Sequence, residues 1–229
     1  MSNHLSEQEL VRRQNLDAIR ELGIDPYPSD TFVTSHYAKE IKDNYKEGDE
    51  NYTEVSLAGR LMSRRIMGKA SFAELQDASG RIQLYVSRDD ICPEEDTTFY
   101  NQVFKKLLDL GDFIGVKGYV FKTKVGETSV HVKELTILSK SLRPLPVVKR
   151  DEEGNIHDGF TDPEQRYRMR YVDMVVNPEV RKVFRQRTQM YTSMREYLDA
   201  KGYLEVETPI LQPLYGGAAA RPFKTHHNT

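Results

Sequence analysis

The pattern of apolar and polar positions changes twice along the chain. Residues 6–23 have helical spacing: Ser6 and Glu9 form a capping box, Gly23 closes the run, and Arg12, Arg13 and Arg20 give it a basic flank. A second short helix is predicted after Thr34 or Ser35, either of which can cap it, with Tyr37, Ala38, Ile41 and Tyr45 on one face. From about Val55 the period becomes two. Five strands are predicted between there and Lys140, with turns at Asp77 to Gly80 and at Gly126-Glu127. A helix at roughly Thr98 to Leu110 falls between the third and fourth. Five strands with a helix inserted after the third is the order of an OB-fold, a small barrel that often binds single-stranded nucleic acid.

The stretch 141–161 carries two prolines, two glycines and a run of charges, and reads as a linker. Beyond it Asp162-Pro163 starts a helix, with the aspartate as cap and proline in the first turn. Asn177-Pro178-Glu179 starts a longer helix ending near Lys201-Gly202, with an apolar stripe of Val180, Val183, Phe184, Tyr191, Met194 and Leu198. Leu204, Val206 and Thr208 alternate with Glu205 and Glu207. That is a strand signature, which Pro209 ends or confines to a sheet edge.

Composition narrows the function. With 38% hydrophobic and 30% charged residues, the chain falls among ordinary globular proteins. Its N-terminus lacks the apolar core of a signal peptide, and no membrane partner is expected. One cysteine, Cys92, allows neither an internal disulfide nor a cysteine-based zinc site, so a reducing, cytoplasmic setting is expected. A net charge of −2 argues against indiscriminate nucleic-acid binding and leaves room for a local basic patch. His226 and His227 have no third ligand nearby in sequence, and no metal site is expected.

The most informative anomaly lies on the barrel strands. Alternation puts Ala73 and Leu75 on one face of their strand, and Phe72, Glu74 and Gln76 on the other. In the next strand Ile82, Leu84 and Val86 face inward, while Gln83 and Tyr85 face out. Phe72 is then an aromatic ring on a polar face, beside Gln83 and Tyr85 if the two strands form a hairpin. Upstream, Arg60, Arg64, Arg65 and Lys69 lie close together with no acid among them. A ring, an amide that can read a base edge and nearby cations suit unstacked nucleotides. The alternative is that Phe72 packs under the N-terminal helices while the cations solvate an edge strand.

The stretches "SRRIMGKASFAELQDASGRIQLYVSRDD", "LRPLP", "RYRMRYVDM" and "GGAAARPFKTHHN" resemble class II lysyl-tRNA synthetases of the bacterial type, from about Glu54 to the last residue. An insertion around residues 150–160 departs from the pattern. The barrel motifs also suit the aspartyl and asparaginyl enzymes, and the glycine-alanine loop before Arg221 favours lysine.

The resemblance implies an N-terminal helical extension over 1–53, an OB-fold anticodon-binding domain over 54–140, a linker over 141–161, and the start of a class II α+β catalytic domain over 162–229. It also implies that Phe72 stacks the middle uridine of the anticodon, Gln83 hydrogen-bonds its edge, Arg65 holds it from the other side, and Glu127 accepts a hydrogen bond from a neighbouring anticodon base. Gly216 would sit at the rim of the lysine pocket. Pro209 would be the proline of motif 1, the element that builds a homodimer interface. The implied reaction is activation of lysine by ATP with Mg²⁺ and its transfer to tRNA(Lys). The motifs that carry ATP, Mg²⁺ and the lysine ammonium do not occur in the chain, so no catalytic residue is assigned, no cofactor is expected to bind it, and it is expected to be an inactive amino-terminal fragment. Two competing readings are a synthetase-like RNA-binding module without catalysis, which has no need of the glycine-alanine loop, and a purely dimerising protein, which leaves Phe72 unexplained.

Overall fold

The strands of the barrel follow the period-two pattern closely, because alternate side chains can be buried on only one side of a closed sheet. In the computed structural model, residues 5–146, 149–150, 156–157, 159–211, 221 and 223–226 are described. Strands β1 (Val55–Met67), β2 (Ala70–Gln76), β3 (Arg81–Ser87), β4 (Phe113–Lys122) and β5 (Thr128–Ser139) close into a barrel in the order β1-β2-β3-β5-β4. All the pairs are antiparallel except β3 with β5, which is parallel. This is the OB-fold, preceded by helices α1 (Glu7–Glu21) and α2 (Ala38–Asn44).

Inward side chains such as Leu57, Leu75, Ile82, Leu84, Ile114 and Val132 are fully buried and form one core. Between β3 and β4 lie a short helix α3 (Arg88–Ile91) and a π-helix (Phe99–Leu107), which buries Tyr100, Val103 and Phe104 in the same core. The helix predicted over Thr98 to Leu110 is therefore shorter and wound wider than expected. Arg64 donates to the Phe104 carbonyl within it, and in the connection that follows Arg60 donates to the Gly111 carbonyl at 2.6 Å while its guanidinium lies 4.2 Å from the Phe113 ring centre. Two of the four clustered cations thus satisfy backbone carbonyls near the π-helix. Burial pushes the pKa of both guanidinium groups down.

The N-terminal elements are tied to the barrel by polar contacts that neighbouring residues could not provide. Ser6 and Glu9 form the expected capping box on α1. Neither Thr34 nor Ser35 caps α2. Its first amides donate instead to the β2–β3 turn, Ala38 to Asp77 at 2.6 Å and Lys39 to Ser79 at 2.9 Å, so the cap comes from tertiary structure. At the other end of the unit Lys140, with no side-chain exposure, meets Asp109 at 2.6 Å and the equally buried Asp112 at 2.7 Å, and Arg12 donates to the carbonyls of Leu110 and Ser141. A buried charge is tolerable only when its donors and acceptors are met, as these are.

Two compact units divide the chain, residues 1–159 and 160–229. Within the stretch read as a linker, Lys149–Arg150 and Ile156–His157 form a small antiparallel pair, β6 and β7. In the second unit, α4 (Pro163–Arg168) is capped by Asp162, which accepts from the Gln165 amide at 2.8 Å. Helix α5 (Arg170–Val176) follows, and α6 (Pro178–Asp199) ends before Gly202, where φ is +82°.

The strand expected at residues 203–209 does not form. The segment is extended but exposed, with Leu204 88% and Val206 73% accessible, and no strand pairs with it among the described residues. Alternation marks a segment that fits a sheet, but a strand exists only where a neighbour takes its hydrogen bonds.

Candidate nucleic-acid interface

On the outer face of the first three strands, cross-strand pairing lines up two short rows. Arg65 of β1 lies opposite Phe72 of β2, which lies opposite Tyr85 of β3. Ser63, Glu74 and Gln83 form the adjoining row, continued by Ser129 of β5 across the parallel pair. The turn between β4 and β5 closes over the second row. Its shape is set by the Thr123 amide on the Glu127 carbonyl at 3.0 Å and by the Glu127 amide on the Thr123 hydroxyl at 3.1 Å.

These elements enclose a concavity of about 440 Å³, lined by Arg65, Phe72, Glu74, Gln83, Glu127 and Lys42, among others. All four residues singled out for base recognition, Arg65, Phe72, Gln83 and Glu127, therefore line the same cavity. Phe72 is half-buried and braced by Tyr85, with ring centres 5.4 Å apart. Partly exposed and lining the cavity, it is not the fully covered ring that packing under the N-terminal helices would give. Gln76, expected on the same face as Phe72, lies opposite Arg60 and Arg81 there and is buried at the end of β2, where it accepts from Arg81 at 2.7 Å. The backbones approach closely at this end of the β1–β2 pair: a Cβ on Gly59 would stand 2.5 Å from the Gln76 carbonyl oxygen.

The charges around the cavity are paired in part. Glu127 takes an ion pair from Lys42 of α2 at 2.9 Å, and Glu74 takes one from Arg81 at 3.0 Å. Arg65 is exposed at the cavity edge. Strand alternation separates it from Arg64, which turns toward the π-helix, so adjacent arginines have different uses. Lys42 was not legible as a site residue: it lies on a helix outside the barrel strands, and no spacing links it to Glu127. Ser129 was missed for a related reason, since its partner Gln83 is reached through the parallel pairing of two strands distant in sequence.

Beside the cavity the rings continue across β3, β5 and β4. Tyr85 meets His131 at 4.9 Å, and His131 stacks on Tyr119 at 4.7 Å while hydrogen-bonding its hydroxyl. The other ring nitrogen of His131 reaches Asp90 at 2.8 Å, and Lys133 also pairs with Asp90. Burial raises the pKa of the Asp90 carboxyl, but hydrogen bonds from Lys133, His131 and Ser87 outweigh it and hold the group down at about 2.

In the second unit Asp173, fully buried, gathers Arg166 at 3.0 Å and Asn177 at 2.7 Å as well as Arg170. Burial opposes ionisation there too, and these donors keep the pKa below the usual carboxylate range. This cluster accounts for the arginine-rich stretch before α6 as structure. Pro209 lies in the exposed segment, and Gly216 lies outside the described residues. Among the described residues no group of three or more His, Cys, Asp or Glu side chains could hold a metal, and no helix is long and apolar enough to cross a membrane.

Residues 55–138 match the family described as an OB-fold nucleic acid binding domain, and residues 162–229 match tRNA synthetases class II (D, K and N). Together with the barrel geometry, these matches place the chain among the class II aminoacyl-tRNA synthetases. Relatives narrow the class. The chain is 63% identical over 226 residues to a lysine–tRNA ligase of Porphyromonas gingivalis, covering 98% of this chain and 39% of that protein. It is 60% identical over 224 residues to the lysine–tRNA ligase of Christiangramia forsetii, with the same coverage, and 56% identical to that of Azobacteroides pseudotrichonymphae, of which it covers 44%. The chain belongs to the lysyl-tRNA synthetase family and spans about two fifths of the length of these curated relatives.

Proposed function

We propose that the chain is the anticodon-reading part of a lysine–tRNA ligase, and that the whole protein joins lysine to tRNA(Lys). The observation that carries this reading is the meeting of Arg65, Phe72, Gln83 and Glu127 around one cavity on an OB-fold face. Phe72 offers a ring face for the middle base, worth about 1–3 kcal/mol per stacked base. Gln83 meets the base edge, and Arg65, exposed at the cavity edge, holds the base from the other side. Glu127, held by Lys42, accepts from a neighbouring base.

In the whole protein, ATP and Mg²⁺ provide the activation chemistry and lysine is the second substrate. The described residues present no metal cradle, so no step of that reaction is assigned to them. A homodimer is the proposed assembly, supported by the exposed apolar side chains of α6, Val183, Met190, Met194 and Leu198. The proposed setting is the cytoplasm. The proposed organisation is a helical extension over 1–53, the anticodon-binding barrel over 54–140, a linker over 141–161 and the start of the catalytic domain over 162–229, with Pro209 in the dimer element and Gly216 at the lysine pocket.

Binding of this chain to an anticodon stem-loop bearing UUU, against the same loop with C in the middle, tests the central claim at fixed salt. The UUU loop is expected to bind more tightly, and Phe72→Ala is expected to remove roughly tenfold or more of that affinity without changing the melting temperature of the barrel. Equal binding to both loops that disappears with added salt marks a generic basic patch and overturns the proposal.

A further inference from the structure

We infer that Ser129 is a positioning residue that sets which end of the Gln83 amide the anticodon cavity presents, and so makes the cavity select a base edge with an acceptor there. The inference rests on the anticodon reading above. Ser129 is fully buried on β5, opposite Gln83 in the parallel β3–β5 pair. Its hydroxyl donates to Gln83 Oε1 at 2.8 Å. The Glu127 carbonyl is a second, longer acceptor for the same hydroxyl, at 3.3 Å.

A serine hydroxyl has one proton to donate, and a glutamine amide has one acceptor end and one donor end. With the acceptor end held by Ser129, the NH₂ is the end left for a ligand in the cavity that Gln83 lines. Uracil offers its O4 acceptor where cytosine carries an amino group, so an NH₂ at that position can bond one base and opposes the other donor to donor. Rejection of this kind is effective because it leaves polar groups unpaired in a partly buried site. The sense of the selection then resides in a residue that does not line the cavity. Ser129 connects two parts of the site, since the carbonyl of Glu127, whose side chain is held by Lys42, is its other neighbour.

The test measures binding of this chain to the UUU loop and to the loop with C in the middle, by fluorescence anisotropy at fixed salt, for wild type and three variants. Ser129→Ala releases the amide to rotate, and the preference for U is expected to fall by about five- to tenfold, chiefly through tighter binding of the C loop. Ser129→Thr keeps the hydroxyl and is expected to retain the preference. Gln83→Glu, with Ser129 intact, replaces the donor by an acceptor and is expected to reverse the preference toward C, whatever it does to overall affinity.

Equal weakening of both loops in Ser129→Ala, with the preference intact, would show a merely structural serine and overturn the inference while leaving the anticodon reading in place. A Gln83→Glu variant that still prefers U overturns it as well, and decides the matter if Ser129→Ala does not fold. If wild type itself shows no preference, the anticodon reading fails and the inference falls with it.

Discussion

Helix α6 and strand β3 both have well-formed apolar patterns, yet they end in opposite environments. Every inward residue of β3, Ile82, Leu84 and Val86, is fully buried, whereas α6 has no buried residue and its Val183 is 60% exposed. A strand exists by pairing with neighbours, so β3 could form only as part of the closed sheet that also buries it. A long helix satisfies its own backbone, and α6 keeps its shape with its stripe uncovered. Secondary structure is therefore no measure of burial in this chain, and the second unit owes its local order to capping and to the ion cluster at Asp173.

Hydrogen exchange should give the largest contrast. Amides of β3 and β5 are expected to exchange about a thousandfold or more slowly than those of α6, since the former open only with the barrel. Comparable protection in α6 would mean that its apolar stripe is covered in solution. Next in size, Leu84→Ala is expected to cost the barrel about 3 kcal/mol in urea denaturation, while Leu198→Ala on α6, at 44% exposure, should leave the barrel transition within about 0.5 kcal/mol of wild type.

Within the barrel, Arg64→Ala is expected to cost about 1–3 kcal/mol by leaving the Phe104 carbonyl unpaired, and Arg65→Ala almost nothing. RNA binding should rank the two in the opposite order, and an Arg65→Ala variant with unchanged affinity for the stem-loop would remove that residue from the site. The smallest effect concerns acid. The folded pKa of Asp90 lies below its ordinary value, so its contribution is complete above about pH 4 and is lost as the pH falls toward 2. Asp90→Asn is expected to flatten that limb of the stability curve, and an unchanged acid limb would show that Asp90 contributes nothing to it.

Alternation alone put Phe72 and Gln83 on the same outward face, because a period of two leaves each side chain only two directions. The same rule misled at residues 203–209, where no pairing partner among the described residues completes the sheet. The clustered arginines were legible as a group, but their division into two that hold carbonyls near the π-helix and one at the cavity edge was not.

The sequence by itself determined the capping of α1 and α4, the order of the five strands and the polar-face aromatic, all of which depend on side chains a few residues apart or on backbone period. Only the tertiary structure decided that the β2–β3 turn caps α2, that Lys42 holds Glu127, and that Ser129 holds the Gln83 carbonyl. Each of these contacts joins residues 39 or more positions apart. Hydrogen bonds and ion pairs act over a few ångströms of space, and no local pattern records which distant group the closing of a barrel will bring within that range.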